Sequence, residues 1–236
     1  MLAAVGSDVA TRWLSPNQER RAGTVFVLAA AQIKERLDAG EEVRADGFFD
    51  GERSPAQEVA EAILQTAMTE TEEHKLPYLA NLYAELCFLE SIDLDTANRM
   101  LRVAEELSWL ELRLVAVVGQ PEKYRLPAVD VEWVPQVWSD WTVYTTFTQL
   151  VEPPRNFFRF GSVKAGQGDF EYDQMDLRLS AHTLGATARF LYETMRLESI
   201  PEEQVRPVFE ALCRVAAFSE SEVRDGAQNE DSAASI

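Results

Sequence analysis

Along most of the first half of this chain apolar residues recur every three or four positions, the period of an amphipathic helix. The first such stretch opens at Ser15-Pro16, a capping side chain followed by a proline in the first turn, where a missing N–H costs nothing. Its stripe is Ala22, Phe26, Ala30, Ile33 and Leu37, and Gly40 supplies the stop. Ser54-Pro55-Ala56-Gln57 opens a second helix with a capping box; it is expected to run to about Lys75, with Val59, Ile63 and Ala67 inward and Glu58, Glu61, Glu70, Glu72 and Glu73 in water. Pro77 begins a third, striped by Leu79, Leu82, Tyr83, Leu86 and Leu89. After a turn around Asp93, a fourth places Ala97, Met100, Leu101, Ala104 and Leu107 on one face. Ser108 with Glu111 makes another capping box, opening a short fifth helix to Val118. Five helices joined by short links predict a helical bundle over residues 1–120.

Gly119-Gln120-Pro121 and Pro127 punctuate a change of composition. Trp133, Trp138, Trp141, Tyr144 and Phe147 then fall in one segment that reads as a helix from about Val134 to Leu150, ended by Pro153-Pro154. Phe157 to Val163 and Phe170 to Leu179 read as two β-strands, joined by a loop from Lys164 to Gly168. Helices return from about Ala181 to Leu197 and, after Pro201, to about Phe218. The expected fold is therefore mainly α, with a smaller α+β module over 121–218. Residues 219–236, rich in Ser, Glu, Asp and Ala, are expected to form a disordered acidic tail.

The 236 residues are 46% hydrophobic, enough for one large or two small cores. Forty acidic against 22 basic residues leave a formal net charge of −18, a field that repels phosphate backbones and anionic membranes. Cys87 and Cys213 lie far apart without a CxxC spacing, which supports neither a disulfide framework nor a cysteine zinc site. The N-terminus lacks a basic region ahead of an apolar stretch, and the run Val25 to Ala31 is far short of the ~20 residues that span a bilayer. The expectation is a cytoplasmic chain without a membrane partner.

Candidate chemistry is sparse. His74 and His182 sit in different expected helices with no metal-ligand spacing, and both read as solvated. Cys87, inside Leu86-Cys-Phe-Leu, reads as a small buried hydrophobe. Asp169, Glu171 and Asp173 alternate along an expected strand; they are either a divalent-cation site or the wet face of a half-buried strand, and the second is preferred. Arg155, Arg159 and Lys164 make a basic island interleaved with Phe157, Phe158 and Phe160, suited either to nucleic acid or to packing along an aromatic face and pairing across the hairpin. Phe48-Phe49, framed by Asp46-Gly47 and Asp50-Gly51, is a candidate partner-binding anchor, although loop aromatics more often dock onto their own core. Paired acid–base groups, glycine-rich phosphate loops and nucleophile elbows are all missing, so no catalytic residue and no cofactor are expected.

From Lys75-Leu-Pro-Tyr-Leu-Ala-Asn-Leu-Tyr-Ala-Glu-Leu-Cys-Phe, through Thr96-Ala-Asn-Arg-Met-Leu-Arg-Val-Ala-Glu-Glu-Leu-Ser to Leu110, the chain resembles the bacterial Abi-alpha (abortive-infection alpha) proteins. That resemblance implies phage resistance and no catalytic residue. Leu179-Ser-Ala-His-Thr-Leu-Gly-Ala-Thr-Ala-Arg-Phe-Leu is similar to the start of the last helix in bacterial winged-helix domains, whose strands form the wing. The helix ending at Leu150 would then occupy the recognition position, yet it carries Asp140 and no Arg or Lys between Trp133 and Pro154, which points to protein contact rather than base reading. The sequence therefore predicts a non-enzymatic interaction or sensor component, of an antiphage system on the Abi-alpha resemblance, acting on a protein partner or a second copy. Its alternative is a winged-helix DNA-binding regulator.

Overall fold

A computed structural model describes residues 15–90, 92–128, 137–167, 170–176 and 178–233, and the backbone alone at 161–167, 170–176 and 218–233. The fold is mainly helical, with eight α-helices and two two-stranded antiparallel ladders among the described residues. The chain divides into two compact units: Met1–Trp109 with Glu193–Arg196, and Leu110–Tyr192 with Leu197–Ile236.

The first unit holds α1 (Pro16–Asp38), α2 (Pro55–Thr69), α3 (Leu76–Leu86) and α4 (Leu94–Glu106). Both serines cap as expected: Ser54 forms the expected reciprocal box with Gln57, Ser15 forms one with Gln18 that the sequence reading did not include, and Asp93 caps α4 by accepting from the Thr96 amide at 2.7 Å. Val59, Ile63 and Ala67 of α2 and Ala97, Met100, Leu101 and Ala104 of α4 are buried as their spacing predicts.

Two expectations change here. Helix α2 ends at Thr69 rather than near Lys75, and a 3-10 turn at Glu73–Lys75 delivers the chain to α3. The cause is Lys75, which is buried, ion-paired with Glu70 and donating to the Glu105 carbonyl at 3.2 Å. A continuous helix would hold positions 70 and 75 about 140° apart around its axis, so the pair needs the break. Helix α1 is rotated from its apolar stripe: Val25 and Ala29 are buried, whereas Phe26, Ala30 and Leu37 are exposed. The row that packs continues through Gln32, bonded to Asn81, and Arg36, whose guanidinium lies 3.9 Å from the Phe88 ring centroid and 2.8 Å from Glu85. Polar side chains with partners outcompete apolar ones for this interface, a choice that hydrophobic periodicity does not register.

The second unit holds α5 (Trp109–Gly119), whose first residue belongs to the first unit, α6 (Trp138–Val151), α7 (Ala186–Thr194), whose last two residues belong to the first unit, and α8 (Glu202–Ala233). Its strands are β1 (Phe158–Arg159), β2 (Gly161–Gln167), β3 (Phe170–Asp176) and β4 (Thr183–Leu184). The division thus precedes α5, where the sequence placed the end of the bundle at 120; Leu112, Leu114, Val115 and Val117 are fully buried, so this helix is a core element and not an amphipathic bundle member. The expected hairpin is present as β2–β3, with Val163 opposite Gln174 and Lys164 opposite Asp173. Lys164 to Gln167 are strand rather than loop, because the ladder extends to the Gln167–Phe170 pair. A second ladder, β1–β4, pairs Phe158 with Leu184 and Arg159 with Thr183, and it delays the start of α7 to Ala186. The last helix continues to Ala233, past the boundary at 219 where a disordered tail is expected. Beyond Phe218 the Ala, Glu, Gln and Arg residues retain helix propensity after the apolar period stops. Among the described residues no helix is long and apolar enough to cross a membrane.

Helices α6 and α8 are joined by an ion pair absent from the hydrophobic pattern. Asp140 is buried and accepts from Arg214 Nε at 3.0 Å and Nη2 at 2.7 Å. The Arg214 hydrogen bonds hold the Asp140 carboxyl below its ordinary range against the opposing effect of burial.

Two stability outcomes follow from this architecture. Leu82→Ala and Leu101→Ala, both at buried positions, should each cost about 2–5 kcal/mol in urea unfolding, whereas Phe26→Ala should stay within about 0.5 kcal/mol. Because the folded Asp140 carboxyl lies below its unfolded value, its contribution is complete above about pH 4 and is lost as pH falls through the folded value. Asp140→Asn should therefore flatten the acid limb of a melting-temperature profile and cost about 1–2 kcal/mol at pH 7, less than a fully buried pair because Arg214 is half exposed.

Candidate functional site

A concavity lies where α6 turns back into β1. Helix α6 ends at Val151, and the amides of Arg155 and Asn156 both donate to the Glu152 carbonyl, at 3.1 and 3.2 Å. Phe157 N–H then reaches back to Leu150 O at 2.8 Å, closing the reversal. Asn156 sits at φ 47°, in the left-handed region that Asn enters more readily than most residues. On the other side, Gly185 N–H donates to Phe157 O at 2.7 Å. A Cβ at Gly185 would stand 2.8 Å from Asn156 O and 3.0 Å from Phe157 O, so only glycine lets the two backbones cross this closely.

The resulting cleft has a volume of about 540 Å³ and is lined by Val151, Arg155, Asn156, Phe158, Arg159, Phe160, Ala186 and Thr187. Arg155 is ion-paired with Glu111 of α5, a buried carboxylate that anchors its guanidinium. Arg159 is exposed, and its side chain has no ion-pair or hydrogen-bond partner among the described residues. The first bond of α7 runs from Arg189 N–H to Gly185 O at 2.9 Å, so the amides of Ala186 and Thr187 precede the helical ladder. Two guanidiniums and a helix N-terminus converging on one cleft favour an anion.

Two of the three residues of the basic island therefore share a site, and the third does not enter it: Lys164 lies on β2, and its side chain is outside the described residues. Of the three alternating carboxylates, Asp169 lies outside the described residues altogether, and so do the side chains of Glu171 and Asp173. Among the described residues no group of three His, Cys, Asp or Glu side chains is placed to hold a metal ion.

Phe48 and Phe49 do not form a two-ring anchor. Phe48 is buried, with the Arg44 guanidinium 4.3 Å from its ring centroid; Phe49 packs edge-on at 5.3 Å and is 42% exposed. Arg44, itself buried, donates to Asp46 at 2.8 Å and to Ile92 O at 2.6 Å, and this polar centre draws Phe48 inward. His74 is exposed and stacks on Trp109. His182 is buried, not solvated: its Nδ1 lies 3.0 Å from Arg178 O, and its ring meets Phe147 and Phe160 at 5.1 Å. The chain before α7 is strand-paired, which takes position 182 out of the expected helix and into the core. Cys87 is buried and its thiol is pushed up to about 11 by that burial, leaving it neutral.

Sequence reasoning missed Asn156, Gly185 and Thr187. The signals available were Asn after a Pro-Pro-Arg turn and Gly immediately before a helical pattern. No family model, curated protein or solved structure matches the chain.

The crossing at Gly185 is testable. Gly185→Ala should cost about 1–3 kcal/mol by thermal unfolding through forced backbone displacement, whereas Gly23→Ala, where a Cβ on α1 meets nothing within 4 Å, should be neutral or stabilising by about 0.5–1 kcal/mol.

Proposed function

We propose that this protein is a non-enzymatic sensor or interaction component whose second unit binds an anionic ligand in the cleft between the α6–β1 turn and α7. The observation that carries this reading is Arg159: in a chain of net charge −18 it lines a cleft with Arg155 and has no acidic partner among the described residues. Acidic residues outnumber basic ones, so a cation left unneutralised in a concavity is an electrostatic exception that a bound anion would resolve. The cleft's lining supports binding over catalysis. Among the described residues that line it there is no His, Cys, Asp or Glu, the groups that most often move a proton near neutral pH. An association with antiphage defence rests on the resemblance over Lys75 to Leu110 alone.

A winged-helix regulator is the second reading, favoured by an antiparallel hairpin following α6. Against it, Lys164 stands in register with Asp173, and the net charge opposes a polyanion.

Titration of the full chain with inorganic phosphate at low ionic strength, followed by calorimetry, should give one saturable site. Arg159→Ala should weaken it about tenfold or more, the scale of one lost charge-assisted hydrogen bond. Arg155→Lys, which keeps the charge opposite Glu111, should weaken it less. Loss of no affinity in Arg159→Ala would remove this reading. Duplex DNA binding with a log–log salt slope near 3 that collapses on joint replacement of Arg155, Arg159 and Lys164 by Ala would establish the regulator instead.

A further inference from the structure

The cleft is larger and chemically more divided than an anion alone requires. We infer that its ligand is a free mononucleotide, its phosphate held by Arg155, Arg159 and the first amides of α7, and its base packed on the half-buried ring of Phe160. This inference rests on the anion-binding reading and adds the body of the ligand to it.

Size gives the first argument. A volume of about 540 Å³ falls within the roughly 300–1,000 Å³ of small-molecule sites, and inorganic phosphate would leave most of it to water. The lining gives the second. Arg155, Arg159, Asn156 and Thr187 are polar donors, whereas Phe160 presents an apolar ring with no charge to match, beside the buried Val151 and Phe158. Phe158 is buried and fixed in the β1–β4 ladder, and Phe160 is half-buried with its ring against His182 at 5.1 Å. A half-buried ring held from behind is a rigid stacking platform, and every nucleobase has a face that stacks on one. Two guanidiniums and two amides also offer more donors than a carboxylate accepts, and they suit the three terminal oxygens of a phosphate monoester.

Charge separates the free nucleotide from a strand. A polynucleotide would carry further phosphates past the cleft onto a molecule of net charge −18, and each would meet repulsion; a single nucleotide places its whole charge at the arginines. Asn156, set at the cleft by its left-handed backbone, and the Thr187 hydroxyl supply donors and acceptors for the sugar or the base edge.

The test compares ligands on the intact chain by calorimetry: inorganic phosphate, the four ribonucleoside 5′-monophosphates one at a time, and a ten-nucleotide single strand. At least one mononucleotide should bind about tenfold or more tighter than inorganic phosphate, and Arg159→Ala should weaken both. Phe160→Leu, which keeps an apolar side chain against His182, should remove most of the nucleotide's advantage and leave phosphate affinity within about twofold; an unchanged melting temperature confirms that it folds. Equal affinity for phosphate and every mononucleotide, with both lost in Arg159→Ala, would overturn the nucleotide while preserving the anion site. Binding of neither, or binding that Arg159→Ala leaves intact, would remove both. Tighter binding of the single strand, with a salt slope well above that of the mononucleotide, would overturn the free nucleotide in favour of a strand.

Discussion

The close passage of Gly185 over the carbonyls of Asn156 and Phe157 is the constraint on which the cleft depends. It brings the start of α7 against the turn after α6, and the bond from Gly185 N–H to Phe157 O locks the two together. The β1–β4 ladder then has its register, with Phe158 opposite Leu184, so Arg159 emerges exposed between a buried and a half-buried phenylalanine. The consequence is chemical as well as geometric. A side chain at position 185 would separate the two cationic residues from the helix amides, and the cleft would lose the convergence that favours an anion.

Buried polar groups play the corresponding part in the first unit. Gln32 with Asn81, Asn81 with the Met195 carbonyl at 2.8 Å, Arg44 with Asp46, and Lys75 with Glu70 all place polar atoms in or beside the core. Each such group costs free energy unless its partner is in place, so each tolerates few alternative helix rotations. These contacts turn α1 away from its most apolar stripe and stop α2 where Lys75 must turn inward. Burial of carbon drives association of the helices, and the polar pairs select which association forms.

Electrostatics link the two scales in the second unit. Glu111 and Asp140 are buried carboxylates, ion-paired with Arg155 and Arg214 respectively. In an acidic chain these pairs consume cations that would otherwise neutralise the surface. Arg155 is therefore half structural, anchored by Glu111 and still lining the cleft, whereas Arg159 lines the cleft with no ion-pair partner among the described residues. Cleft and core are built from the same residue type with different partners.

The helices were legible in the sequence because their signals are local. Ser15-Pro16 and Ser54-Pro55 cap as their residues dictate, Asp93 caps α4, and the inward rows of α2 and α4 follow from spacing alone. The hairpin β2–β3 and two of the cleft's residues, Arg155 and Arg159, were equally visible from alternation and from the rarity of base in an acidic chain. What the sequence left undetermined depends on residues far apart in the chain. The rotation of α1 is settled by Asn81 and Glu85, the inward place of Phe48 by Arg44, the position of His182 by the pairing of the next residues, Thr183 and Leu184, with Arg159 and Phe158, and the cleft itself by Gly185 meeting Asn156. A cap or a periodic stripe is an interaction between neighbours and can be read in one dimension; a buried ion pair or a backbone crossing exists only once the chain has closed on itself.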